Sequence, residues 1–421
     1  MSQEIIVKSR KFAREFFAFF VPKKGIKKML THVSHKKRIT VIIPTFKPKY
    51  ITYRLINNIS TWDKNIQIIV VDDNTPKNAL QSTTILEKIK ALTQKNKKIV
   101  LLRTDKTHLK AQALNFALTH ISKQKSKPDV VLTFDDDVTI NHNTIQILVD
   151  VLFQDAKIGA VVSNAWVKNR KKNLLTRLQS LEYHGFNITK ISDTGFLSGP
   201  LVMQGMLSAF RYSALLDVKG YNVDKLIEDY DITVRIKKAG WKTAIAPSAH
   251  AWTNVPETLP ELWKQRVRWS YGGIIVVKDF WKDYAHVLQD IIGHTLFLSL
   301  LLVVLLSLVV VRNHETPPAL VFGIFVIALL HFILSYSFNL ISLLSFKERD
   351  KWDWIVKALI IPEFIYSNIL SAILIGSYMF FIFNTLSRFA IKYSPKLIAA
   401  EQAGHRAFQK IGYTLSWGTR A

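Results

Sequence analysis

Residues 291–311, IIGHTLFLSLLLVVLLSLVVV, contain no Asp, Glu, Lys or Arg. At about 1.5 Å per residue such a helix reaches across a hydrocarbon core of roughly 30 Å. A second charge-free run follows at 317–346, and after the basic loop KERDK (347–351) a third extends from about 354 to 387, interrupted by Pro362 and Glu363. The last third of the chain is therefore expected in a membrane, while residues 39–285 have the mixed composition of a water-facing domain. The expected division is a basic amphipathic segment (1–38), a catalytic α/β domain (39–285), membrane and interfacial helices (286–390) and a basic tail (391–421).

Charge narrows the partners. Net charge is +26, which fits an anionic membrane surface or a polyphosphate substrate. No nucleic-acid recognition motif is present, so nucleic acid is not an expected partner. Residues 4–22 mix five Phe with basic residues and read as an interfacial helix on membrane lipid rather than a span or a signal peptide. Cysteine is absent, which excludes disulfides, thiolate metal sites and a Cys nucleophile. A catalytic domain in the cytoplasm followed by three spans would put the tail outside. Yet Arg388, Lys392, Lys396, Arg406, Lys410 and Arg420 favour the inside. Breakage at Pro362 into an interfacial part and a spanning or re-entrant part would reconcile the two.

Within 39–285, the short apolar runs ITVIIPT (39–45), IQIIVVDD (66–73), KIVLLR (98–103) and DVVLTFDDD (129–137) alternate with helical patterns. That alternation predicts parallel βαβ units with helices on both faces. Ligands of such sheets bind beyond the carboxyl ends of the strands, where Asp72, Asp73, Asp135, Asp136 and Asp137 fall. Asp72 and Asp73 can accept hydrogen bonds from a base or ribose, although Asp-Asp-Asn is also ordinary turn chemistry. Asp135 and Asp137 offer hard oxygen ligands for Mg2+ or Mn2+, and three adjacent acids repel one another unless a cation intervenes. Lys110 opens a helical segment and suits phosphate. In IEDYDITVRIKKAG (227–240), Glu228 and Asp229 serve either as helix N-terminal charges or, for Asp229, as a general base. Gln265, Arg268 and Trp269 offer a counter-charge and a flat ring just before the first membrane run.

Taken in order, VDDN, DDD, EDYD and QRVRW ahead of membrane helices resemble the processive family 2 glycosyltransferases, the cellulose, chitin, hyaluronan and poly-β-1,6-N-acetylglucosamine synthases. The resemblance runs from about Ile39 to the end of the membrane region. It implies a GT-A fold with an α-helical transmembrane region and an inverting transfer from a UDP-sugar to a glycan acceptor. Asp72 and Asp73 would then bind uridine and Lys110 would lie near the nucleotide. Asp135 and Asp137 would hold the diphosphate through the metal. Asp229 would be the base beside the substrate-binding Glu228, and Gln265, Arg268 and Trp269 would hold the acceptor end and the diphosphate. VMQGMLSAFR (202–211) resembles the family's Ser-Gly loop with Gln204 in place of Ser. VPETLPELWKQRVRWSYGG (255–273) and LSAFRYSALLDVKGY (207–221) look most like the poly-N-acetylglucosamine synthases, and WGTR (417–420) resembles a tail motif found beside the cytoplasmic site. Such synthases usually carry N-terminal spans, in place of which this sequence has an amphipathic stretch. A narrower export channel, or none, and an accessory export subunit follow as expectations. The expected location is the plasma membrane, multi-pass, with the catalytic domain cytoplasmic. Alternatives are a transferase that adds one sugar to a lipid or glycan, a hyaluronan-, chitin- or glucan-type donor, and a non-catalytic polybasic adaptor.

Overall fold

A computed structural model describes residues 37–62, 66–107, 109–192, 199–312, 317–394, 396 and 398–414. The amphipathic stretch at 4–22 and the WGTR motif lie outside the described residues.

The first half follows the expected alternation. Strand β1 (Ile39–Thr45), helix α1 (Tyr50–Trp62), β2 (Gln67–Asp72), α2 (Leu80–Lys95), β3 (Ile99–Arg103), α3 (Lys110–Lys123) and β4 (Val130–Phe134) succeed one another. They form a parallel set in the order β3-β2-β1-β4. Neighbouring residues point to opposite faces. Val41 and Ile43 of β1 enter one core layer with α1, and Ile42 enters the other with Ala113, Leu114 and Ala117 of α3. Burial on both faces is why these strands read as continuous apolar runs rather than alternating ones.

The second half, about which the alternation of the first four runs says nothing, adds strands of mixed direction. After β5 (Thr139–Ile140), α4 (Thr144–Leu152), β6 (Ile158–Val167) and α5 (Leu174–Ser192), strand β7 (Leu207–Arg211) enters antiparallel between β4 and β6. Its first residue, Leu207, pairs with Phe134, the last of β4. The reversal brings loop 199–206 to the same edge of the sheet as Asp135. Helices α6 (Tyr212–Asp217) and α7 (Glu228–Lys238) follow, then β8 (Lys242–Thr253), which pairs parallel with β6.

Helix α8 (Leu259–Asp279) starts at Thr258, whose hydroxyl accepts the Glu261 N–H. Beyond it lie α9 (Leu288–Arg312), α10 (Pro318–Ser345), α11 (Lys351–Leu359), α12 (Ile361–Tyr393) and α13 (Ile398–Lys410). By length and composition α9, α10 and α12 could each cross a membrane. The third apolar run is broken, as its proline requires. A Pro at 362 has no N–H to give and its ring would strike the carbonyl of residue 358 in a continuous helix. The break falls at Ile360, which takes φ +59°, a costly value for a β-branched residue. Short α11 is held to the α/β domain by charge. Asp353 is fully buried between Arg170 (2.5 Å) and Arg177 (2.6 Å), and Asp350 meets the same two guanidinium groups at 3.3 and 2.8 Å.

Candidate active site

Three strand ends and two helix starts converge on one edge of the sheet. Gly205, in the loop before β7, is the hub. Its N–H donates to Asp229 Oδ2 at 2.9 Å and its carbonyl accepts from Lys110 Nζ at 3.2 Å. A Cβ at this position would sit 2.6 Å from Lys110 Nζ and 3.4 Å from Asp229 Oδ2. That ammonium is pinned by several partners, so the space is kept only by glycine.

Lys110 stands at the start of α3 and also pairs with Asp135 Oδ1 (2.5 Å) and Glu228 Oε1 (3.2 Å). Burial opposes its charge, but Asp135, Glu228 and Asp229 outweigh that and hold the amine well above its usual range. Glu228 is buried too. Lys110, its own backbone N–H and Arg268 overcome that burial and hold its carboxyl below the usual value. Asp229 goes the other way: burial and then the Glu228 charge push it up to about 6, against Lys110 and the N–H groups of Gly205 and Tyr230. The two adjacent carboxyls are thus shifted in opposite directions, a pattern that in general separates an ionised group from one able to take a proton.

At the end of β4, Asp136 accepts from the Thr45 hydroxyl at the end of β1. Asp137 is pushed up to about 6 by burial and by the charges of Asp135 and Asp136. This repulsion is what a divalent cation would relieve. Among the described residues no three His, Cys, Asp or Glu side chains gather to hold a metal. Two carboxylates do fit a cation that takes its remaining ligands from phosphate oxygens and water. Asp135 and Asp137 are the residues that would hold it.

Asp72 and Asp73 lie at the end of β2, two strand spacings from β4, or roughly 10 Å. Asp72 accepts the Thr75 N–H at 3.1 Å and pairs with Arg103 at 3.1 Å, and Asp73 accepts the Thr104 hydroxyl at 3.0 Å. Arg103 also holds Asn74 Oδ1 and the Thr75 carbonyl. The turn is therefore a braced one, with Asn74 at φ +56°. Sequence reasoning picked the acids and missed Arg103 and Thr104, which lie at the end of a different strand.

In α8 the apolar positions Leu262, Val267, Tyr271 and Ile274 are buried, and their spacing decides which arginine faces inward. Arg266 is buried and Arg268 is exposed. Arg266 pairs with Glu182 of α5 at 2.6 Å, Tyr366 of α12 donates to the same Glu182 oxygen at 2.6 Å, and the guanidinium lies 4.2 Å from the Trp269 ring centroid. Gln265 and Trp269 are half-buried. Tyr183, next to Glu182, shares a core cluster with Phe134 and Val138, which flank the strand-end acids, and Trp269 packs against that cluster, so the α8 platform and the strand-end acids share a neighbourhood. Arg266, Glu182 and Gly205 were not singled out from sequence. The helical stripe would have found Arg266, whereas nothing local marks Glu182. Replacing Arg266 with Lys keeps the charge but loses the planar stack on Trp269. Thermal unfolding in detergent should register a loss of about 1 kcal/mol.

Residues 36–272 match the family described as "Glycosyltransferase like family 2". The poly-β-1,6-N-acetyl-D-glucosamine synthase of Staphylococcus aureus (strain COL) is 31% identical over 216 residues, 51% of this chain and 49% of that protein. The synthase of the same name from Staphylococcus epidermidis is 29% identical over 217 residues, with the same coverage. The chain thus spans about half the length of the curated relatives it matches. A mannosyltransferase from Pyrobaculum calidifontis, solved in complex with GDP-Man and Mn2+, superposes with a TM-score of 0.50 at 17% identity, over 89% of this chain and 96% of that one. At that identity the likeness concerns the fold, a GT-A-like α/β domain followed by long apolar helices.

Proposed function

From the premise that this chain belongs to glycosyltransferase family 2, we propose that it is a membrane-bound inverting β-glycosyltransferase that extends a polysaccharide, with UDP-N-acetylglucosamine as donor. The observation that carries the reading is the half-buried Asp229, held by the Gly205 N–H and linked to the strand-end acids through Lys110. Resemblance to the Staphylococcus synthases supports the choice of sugar.

In this reading uridine lies over the end of β2, where Asp72 and Asp73 receive its polar groups. The diphosphate then extends towards β4, a distance of the order of the two strand spacings. Lys110 and exposed Arg268 supply positive charge near the phosphates. Mg2+ or Mn2+ on Asp135 and Asp137 would add a Lewis acid for the departing diphosphate. Trp269 offers a ring for the acceptor sugar, with Gln265 beside it. Asp229 takes the proton of the acceptor hydroxyl as that oxygen bonds to the anomeric carbon. The bond from that carbon to the diphosphate breaks, and UDP leaves with the electron pair. Attack from the side opposite the leaving group turns an α-linked donor into a β-linked product. A cytoplasmic catalytic domain and an accessory export subunit belong to the same proposal.

Protein purified in detergent, given UDP-N-acetylglucosamine with Mg2+ or Mn2+, is expected to release UDP and form a ladder of products, and chelation with EDTA is expected to stop it. No release with any UDP-sugar would overturn the reading. A single-sugar adduct would replace processive synthesis with single addition.

A further inference from the structure

We propose that α12, although long and apolar enough to cross a membrane, instead lies in the plane of the interface on the catalytic side. Together with α13 it forms a lipid-facing shelf, and only α9 and α10 cross.

The first observation is what α12 runs beside. Tyr366 packs with Leu262 of α8, Ile373 and Phe380 pack with Val267 and Tyr271, and Asn384 donates to the Tyr271 hydroxyl at 3.0 Å. These contacts span about 27 Å of α12, from 366 to 384, and about 14 Å of α8, from 262 to 271, so the middle of α12 is packed against α8. On α8, Glu261, Lys264 and Arg268 are exposed. If α12 stood across the bilayer, α8 would be drawn into the hydrocarbon with these charges.

The second observation is what folds back onto α12. Phe408 of α13 packs on Phe380 and Phe383 with ring centroids 5.0 and 5.3 Å apart. His405 lies against the same two rings and is 3.6 Å from Glu401. Phe380 and Phe383 lie past the midpoint of the helix Ile361–Tyr393, by about 5 and 9 Å along its axis. A transmembrane α12 would therefore carry Glu401, His405 and exposed Arg406 into the hydrocarbon, where charged groups are strongly disfavoured.

An in-plane α12 removes both conflicts. Ile365, Met379, Ile382, Leu386 and Phe389 are exposed along its length and form the face for acyl chains, while Tyr366, Ser377 and Asn384 turn inward. Arg406 and Lys410 then lie at headgroup level, where basic side chains meet anionic lipid. Fixation on the catalytic side comes from the start of α12, where Glu363 pairs with Lys357 at 2.6 Å and Tyr366 reaches Glu182. The residue that follows α13 reaches α8 as well: the Ile411 carbonyl accepts from the Trp263 indole N–H at 2.8 Å.

Because the chain has no cysteine, single cysteines report position without background. In membrane vesicles of known sidedness, Arg406→Cys is expected to react with an impermeant maleimide from the same side as Lys282→Cys, which is exposed in the short turn between α8 and α9. Ala319→Cys, at the start of α10, should react from the opposite side. Spin labels at Ile365→Cys, Met379→Cys and Leu386→Cys should report one shallow depth. Arg406→Cys reacting only from the Ala319 side, or Met379→Cys lying deepest with the other two shallow, would overturn the proposal. Neither measurement uses turnover, so its failure is separate from a failure of the glycosyltransferase reading.

Discussion

Asp229→Asn is expected to lower turnover by about 10²–10⁴-fold, the usual contribution of a general base, with little change in the KM for the UDP-sugar. Both carboxylate oxygens accept from backbone N–H groups, those of Gly205 and Tyr230, so the amide keeps the side chain's size and one acceptor but turns its NH2 towards the other donor; thermal unfolding separates that structural cost from the loss of proton acceptance. UDP release under saturating donor is the measurement. Its pH dependence supplies an independent check. Asp229 must be ionised to accept a proton, and burial and Glu228 push its pKa up to about 6. Activity should therefore be present above that pH and fall as pH drops through it. An Asp229→Asn protein that keeps full turnover would remove this residue from the chemistry.

Lys110→Met should be the most damaging change to the site's integrity. It leaves the buried Glu228 carboxylate without its ammonium partner, and breaking a buried pair from one side costs about 3–5 kcal/mol. The lower end applies here, because Asp135, the nearer partner, is more than a third exposed and solvent screens that contact. The Lys110 pKa is raised, so its stabilisation is present in full at all pH values below about 10 and is lost only as pH rises through the folded value. The destabilisation should therefore be visible at neutral pH by thermal unfolding. A second consequence has a fixed sign. Lys110 holds the Asp229 pKa down, so its removal should move the acidic limb of the activity profile to higher pH. A shift to lower pH, or none, would mean that the ammonium does not act on Asp229.

The apolar runs and the strand-end acids were legible in the sequence because both follow from local rules. A charge-free stretch of some twenty residues has few destinations. Apolar strands separated by helices place their terminal carboxylates on one edge. The reversal of β7 was not legible, since register against β4 is a long-range choice. That reversal is what brings Gly205 between Lys110 and Asp229. Arg266 and Arg268 differ by two positions in sequence, and only the buried stripe of α8 decides which one stacks under Trp269.

Those runs, which pointed first to a membrane, show where sequence stops. Length and hydropathy alone make α9, α10 and α12 equivalent candidates for crossing, and Pro362 alone requires a break near 360. Whether α12 crosses depends on what lies against it: a charged helix on one side and a charged return helix on the other. Hydropathy is a property of the residues themselves, whereas desolvation is a property of their neighbours, and the neighbours are assigned only when the chain is folded.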